Sequence, residues 1–113
     1  MGAGSSRSSK GRLDRRALAL IAPRAAQQMR EARRWSSENR PKAPHAFLEE
    51  LRKGFELIRS QPLVGSRATN VNISGLRRIH LSRVRYHLYY RVSGDSVEVL
   101  ALWHSSRGLP PPV

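Results

Sequence analysis

The chain has 113 residues, no cysteine and a formal net charge of +13, from 21 Lys and Arg against 8 Asp and Glu. One domain of this length can bury a core without staples, and the absence of cysteine excludes disulfides and thiolate metal sites. The charge implies attraction to nucleic acid, an acidic membrane surface or an acidic protein partner, and no apolar run approaches the roughly 18 residues of a membrane span.

Residues 1–14 are rich in Ser, Gly and Arg and read as a disordered basic arm. They lack the hydrophobic stretch of a secretory signal, so a soluble cytoplasmic protein is expected. The folded domain is expected over 15–108, followed by a Pro-rich tail at 109–113. Within the domain, "RALALIAP" is a short apolar run ending at Pro23, read as a buried strand. Pro23 suits the first position of a helix, where its missing N–H costs nothing. Ala25, Met29, Ala32 and Trp35 or Ser36 then recur at three-to-four spacing. They mark one face of a helix ending near Asn39, with Arg24, Arg30, Arg33 and Arg34 on the other.

"ENRPKAP" breaks that helix at Pro41 and Pro44, just before His45. The next helix carries Phe47, Leu48, Leu51, Phe55 and Ile58 on one face and Glu49, Lys53 and Glu56 on the other, with Glu49–Lys53 expected to pair. "SQPLVG" stops it, and the two helices form an antiparallel hairpin. Residues 65–75 read as a loop. Three strands follow at 76–81, 84–92 and 97–104, joined by turns at Ser82-Arg83 and Gly94-Asp95.

Two-residue turns set the expected register. Leu81 opposes Val84, Ile79 opposes Tyr86 and Arg77 opposes Leu88. On the second hairpin Val92 opposes Val97, Tyr90 opposes Val99, Leu88 opposes Ala101 and Tyr86 opposes Trp103. These residues form the face under the helices, with Tyr86, Tyr90 and Trp103 as core. The opposite face then gathers Arg78 against His87, His80 against Arg85, Arg85 against His104 and Arg91 against Glu98. Tyr89, Leu100 and Leu102 complete it. Leucines beside tyrosine and arginine suggest a protein contact, while arginine with histidine suggests phosphate chemistry.

"ENRPKAPHAFLEELRKGFELIRSQPLVGS", "GLRRIHL" and "RYHLYYRVSGDSVEVLALWHSSRG", in this order, resemble a small toxin of the RelE/ParE superfamily, the toxin halves of bacterial type II toxin–antitoxin modules. The resemblance covers roughly residues 17–108. It rests on Pro62-x-x-Gly65, Gly75-Leu76-Arg77, Tyr90-Arg91-Val92 and a valine-rich last strand closing in Trp103-His104. It implies an α+β fold of order β-α-α-β-β-β, with the helical hairpin packed on one face of a mainly antiparallel twisted sheet. It also implies neutralisation by a cognate antitoxin.

The two branches differ in chemistry. RelE-like members resemble ribosome-dependent mRNA endonucleases built from Lys, Arg and Tyr or His. ParE-like members generally lack that set, and their implied target is DNA gyrase. Here residues 61–76 offer only Arg67 as a basic group, "SSRGLPPPV" has no tyrosine, and His87 stands where many relatives carry Arg. These departures favour the ParE-like, non-enzymatic branch. The RelE-like alternative would draw its catalytic groups from His87, His104 and Arg85, with His80 and Arg78 nearby. A basic nucleic-acid-binding module is the third reading.

Arg78, Arg85, His87, Tyr89 and Arg107 are the candidate target-binding residues. Arg77 is a characteristic family position expected to serve structure, snorkelling near Leu88 or pairing with Glu31. The four histidines lack zinc-ligand spacing, and neither a metal nor a cofactor is expected.

Overall fold

The computed structural model describes residues 17–39, 45–68 and 73–106. The basic arm, Pro41, Pro44, Arg107 and the Pro-rich tail lie outside these. The element order is β1 (Leu18–Ile21), α1 (Pro23–Asn39), α2 (Ala46–Ser60), β2 (Ser66–Arg67), β3 (Arg77–Leu81), β4 (Tyr86–Ser93) and β5 (Ser96–His104). The sheet order is β1-β5-β4-β3-β2. β1 runs parallel to β5 and the remaining pairs are antiparallel. This is the expected α+β architecture, with β2 added inside what the sequence suggests is a plain loop.

β1 is an edge strand, not a buried one. Leu18, Leu20 and Ile21 are 64, 54 and 44 % exposed, while Ala19 packs toward the core. An apolar run in a small protein reads as interior, but among the described residues its second edge has no strand beside it. Reciprocal bonds tie its start to the end of α2. Ala17 N–H donates to the Arg59 carbonyl at 2.8 Å, and Arg59 Nε donates to the Ala17 carbonyl at 2.8 Å.

The helices lay their apolar stripes on one face of the sheet. Ala25 and Ala32 of α1 and Phe47, Leu51 and Ile58 of α2 are buried against Leu81, Leu88, Tyr90, Val97, Val99 and Leu102. Gly54 lets α2 approach closely, since a Cβ there would meet Leu81 Cδ2 at 2.8 Å. The exposed Glu49 carboxylate takes Arg83 of the β3–β4 turn at 3.0 Å, in place of the expected partner Lys53.

The β3–β4 turn holds four residues, 82–85, where two were expected. Leu81 therefore opposes Tyr86, Ile79 opposes Leu88 and Arg77 opposes Tyr90. Arg85 takes φ 63° to close the turn, a left-handed conformation that is unusual for a residue with a Cβ. Its carbonyl accepts from both Ser105 N–H and Ser105 Oγ, at 2.8 and 2.9 Å. The slip is two residues, so the side chains that remain in β3 and β4 keep their expected faces, while Arg85, expected in the strand, passes into the turn.

The second correction does invert a face. The β4–β5 pairing holds from Ser93↔Ser96 to Tyr90↔Val99, then a bulge intervenes and Tyr89 opposes Ala101. Beyond it Leu88 opposes Leu102 and Tyr86 opposes His104, replacing the expected Ala101 and Trp103. An extra residue in one strand rotates everything after it by one position. Leu102 thus enters the main core at 2 % exposure. Ala101 and Trp103 move to the other face, where they pack with Leu76, Tyr89, Ala68, Ile73 and Leu100 in a second, smaller cluster.

Candidate functional site

The outer sheet face, away from the helices, collects the residues singled out from sequence. β3 and β4 bring His80 opposite His87 and Arg78 opposite Tyr89. The histidine rings lie 4.9 Å apart, centroid to centroid, and His87 meets Tyr89 edge-on at 6.1 Å. Arg78 Nη1 is 3.4 Å from the Tyr89 hydroxyl. Burial holds the His87 pKa below its ordinary 6.5, and the charges of Arg78 and His80 push it the same way. At one end Arg91 and Glu98 form the expected pair at 3.0 Å.

Two other candidates do not join this group. His104 projects to the helix face, edge-on to Tyr86 at 5.0 Å and tilted against Trp35 at 6.4 Å. Its Nδ1 lies 2.6 Å from Ser106 Oγ. Arg85 faces neither His80 nor His104, because it sits in the turn and exposes its side chain. His87 and His104 are therefore on opposite sides of the sheet, separated by the bulge that sequence alone does not reveal.

Arg77 reaches neither Glu31 nor the flank of Leu88. Its Nη1 donates to the carbonyls of Gly65 and Leu63, at 2.7 and 3.2 Å, and so binds the segment after α2. Glu31 instead accepts from Gln27 at 3.4 Å. Tyr90, buried at 0 % exposure, grips the same segment through its hydroxyl. It donates to the Pro62 carbonyl at 2.7 Å and accepts from Gly65 N–H at 2.9 Å. Pro62-x-x-Gly65, Arg77 and Tyr90, distant in sequence, are thus one hydrogen-bonded unit beneath the outer face. Burial raises the Tyr90 pKa, against smaller opposing effects of the Gly65 N–H and Arg77, so the phenol stays a donor.

A family model described as the ParE toxin of the type II toxin-antitoxin system, parDE, matches residues 19–109. The chain belongs to the ParE toxin family. Among solved structures, the toxin is similar to one titled the chromosomal ParDE TA system from P. aeruginosa. The TM-score is 0.62 at 14 % identity, covering 80 % of this chain and 97 % of that one. It is also similar to the YoeB dimer from Staphylococcus aureus, with TM-score 0.53 at 13 % identity over 79 % and 97 % of the two chains. At such identities these likenesses speak to the fold. No curated protein matches in sequence. This ParE-family toxin is thus a type II toxin of the RelE/ParE superfamily, and a cognate antitoxin is the partner its family implies. No helix among the described residues is long and apolar enough to cross a membrane.

Sequence reasoning did not assign Arg77 and Tyr90 to holding Pro62 and Gly65. That role had a signal, since the motif residues are the very ones that bond.

Proposed function

We propose that this toxin acts by binding and inhibiting DNA gyrase, with the outer face around Arg78, His87 and Tyr89, together with Arg85 of the adjoining turn, as its target-contacting surface; Arg107, the remaining candidate, lies outside the described residues. The observation that carries this reading is the spacing of the histidine pair. In-line cleavage of a phosphodiester places base and acid on opposite sides of phosphorus. His80 and His87 instead pack against each other at 4.9 Å from adjacent strands of one face, an arrangement that suits one shared contact better than two groups on opposite sides of a phosphorus. His104, on the far side of the sheet, cannot supply the missing group. Glu98, the carboxylate on the same face, is held by Arg91. What remains is an exposed arginine beside aromatic and imidazole rings over an apolar floor, a composition suited to protein contact.

The RelE-like alternative retains one specific support, the Arg78–His80–His87 grouping, which could clamp an anion. Induced expression with two readouts separates the readings. Lost supercoiling and protein-linked DNA breaks, with intact mRNA, support gyrase inhibition. Rapid mRNA cleavage with normal supercoiling makes the nuclease the better account.

The cognate antitoxin should present an acidic, partly disordered segment to a chain of net charge +13. A groove of about 500 Å³ along α2, lined by His45, Leu48, Glu49, Leu51, Arg52 and Phe55, offers apolar seats for such a segment. Association should slow as salt rises. An on-rate indifferent to ionic strength would remove charge steering from this account.

A further inference from the structure

The β3–β4 register sets His80 directly opposite His87 on the outer face, where the two-residue turn expected from sequence would set Arg78. The two side chains leave adjacent strands on the same side of the sheet. Their rings stand 4.9 Å apart, tilted at 48° and so not stacked. On its other side His87 has Trp103 of β5 as its register partner, and Tyr89 meets it edge-on at 6.1 Å. Trp103 and Tyr89 both belong to the small cluster on this face. The half-buried His87 ring is therefore held by its neighbours, while His80 is exposed and free to adjust its rotamer.

We propose that His80 and His87 form a two-histidine site for a divalent transition metal, Cu²⁺ before Ni²⁺ and Zn²⁺. Imidazole nitrogen suits all three ions, and Cu²⁺ heads the usual order of affinity. The spacing fits. A metal–nitrogen bond of about 2.0–2.1 Å, plus about 1.1 Å from nitrogen to ring centre, puts each ring centre about 3.2 Å from the ion. Centres 4.9 Å apart then subtend about 100° at the ion, within the roughly 90–110° of square-planar and tetrahedral sites. Metal binds the neutral ring. Burial, and then the charges of Arg78 and His80, hold the His87 pKa below its ordinary 6.5, so this ring is uncharged at neutral pH. Arg78 and the net charge of +13 oppose a cation here. The Arg78 guanidinium, however, is directed to the Tyr89 hydroxyl at 3.4 Å, and more distant charge is screened beyond about 8 Å at physiological salt. Among the described residues no third His, Asp or Glu joins the pair. Two protein ligands therefore hold the ion, and its other positions are left to water. The site depends on the pairing of β3 with β4 and not on which target the toxin takes.

The purified full-length toxin, free of any polyhistidine tag, is titrated with Cu²⁺, Ni²⁺, Zn²⁺ and Mg²⁺ by calorimetry at neutral pH. The expected result is one Cu²⁺ per chain, weaker Ni²⁺ and Zn²⁺, and no Mg²⁺, which prefers oxygen ligands. His80→Ala and His87→Ala should each weaken Cu²⁺ about tenfold or more, because one imidazole cannot chelate. His45→Ala and His104→Ala should bind as the wild type does. Cu²⁺ should raise the melting temperature of the wild type and not of His80→Ala. The chain has two tryptophans, and in proton NMR the paramagnetic ion should broaden the indole signal of Trp103, beside His87, before that of Trp35 on α1. Exposed His80 is replaceable without loss of the fold, which a metal-free melt verifies, so this variant decides the matter even if His87→Ala unfolds. If the wild type does not bind Cu²⁺, if His80→Ala binds it as tightly, or if Trp35 broadens first, the pair is not a metal site.

Discussion

The Tyr90 hydroxyl donates to the Pro62 carbonyl at 2.7 Å while accepting from Gly65 N–H at 2.9 Å. One buried phenol on β4 thereby fixes the exit of α2. Arg77 completes the arrangement by donating to the Gly65 carbonyl from the neighbouring strand. Four of the motif residues, Pro62, Gly65, Arg77 and Tyr90, are the ends of these bonds, which gives them a structural role in this chain.

Tyr90→Phe removes one oxygen and leaves both the Pro62 carbonyl and the Gly65 N–H without it. Losing a partner inside a protein costs about 1–3 kcal/mol per stranded group. The urea midpoint should fall accordingly. An unchanged midpoint would mean that water replaces the phenol and that the bond is not what holds this segment.

Gly65→Ala tests the same junction by crowding it. A Cβ there would lie 2.7 Å from the Tyr90 hydroxyl and 2.8 Å from the Arg78 carbonyl. The second is backbone of β3 and cannot swing aside. A loss of about 1–3 kcal/mol is expected, and thermal unfolding measures it.

Leu51→Ala and Phe55→Ala should differ, although both lie on the apolar stripe of α2. Leu51 is buried in the main core and should cost about 2–5 kcal/mol. Phe55 is half-buried and also lines the open groove, so its replacement should cost less in stability and more in antitoxin affinity. Equal unfolding midpoints for the two variants would contradict this placement.

Below pH 6.5 the fold should lose stability through His87. Its folded pKa lies below the ordinary 6.5 because burial, and then Arg78 and His80, disfavour the charged ring. The unfolded chain therefore binds the extra proton first. Stability falls as pH drops through 6.5 and levels off once pH is below the folded value. His87→Gln should flatten that part of the melting-temperature profile. A profile identical to that of the wild type would show that His87 titrates alike in both states.

Toxicity should survive replacement of both His87 and His104 by Ala, since the sheet stands between them. Arg78→Glu, combined with Arg85→Glu, should abolish it by reversing charge on the target-contacting face. Growth arrest on induction is the readout, with soluble expression verified. A folded histidine double variant that has lost all toxicity would move the assignment to RNA cleavage, where losing one catalytic group typically costs about 100-fold or more.

The sequence by itself determined the order of the elements other than β2, the helix faces and the side of the sheet to which β3 and most of β4 present their residues. These follow from local periodicity: Phe47, Leu51 and Ile58 recur at helical spacing, and Ile79, Leu81, Leu88 and Tyr90 alternate. A two-residue slip in the β3–β4 turn left that alternation intact. Only the tertiary structure decided the bulge opposite Tyr89 and Tyr90, because nothing in "VEVLALWH" marks where an extra residue enters the ladder. That one residue put Leu102 into the core, Trp103 outside it and His104 beneath the helices, dividing a histidine pair that looked available for catalysis. The exposure of Leu18, Leu20 and Ile21 was likewise decided late. An apolar strand is interior only if something covers both its edges and faces, and coverage is a property of the assembled sheet.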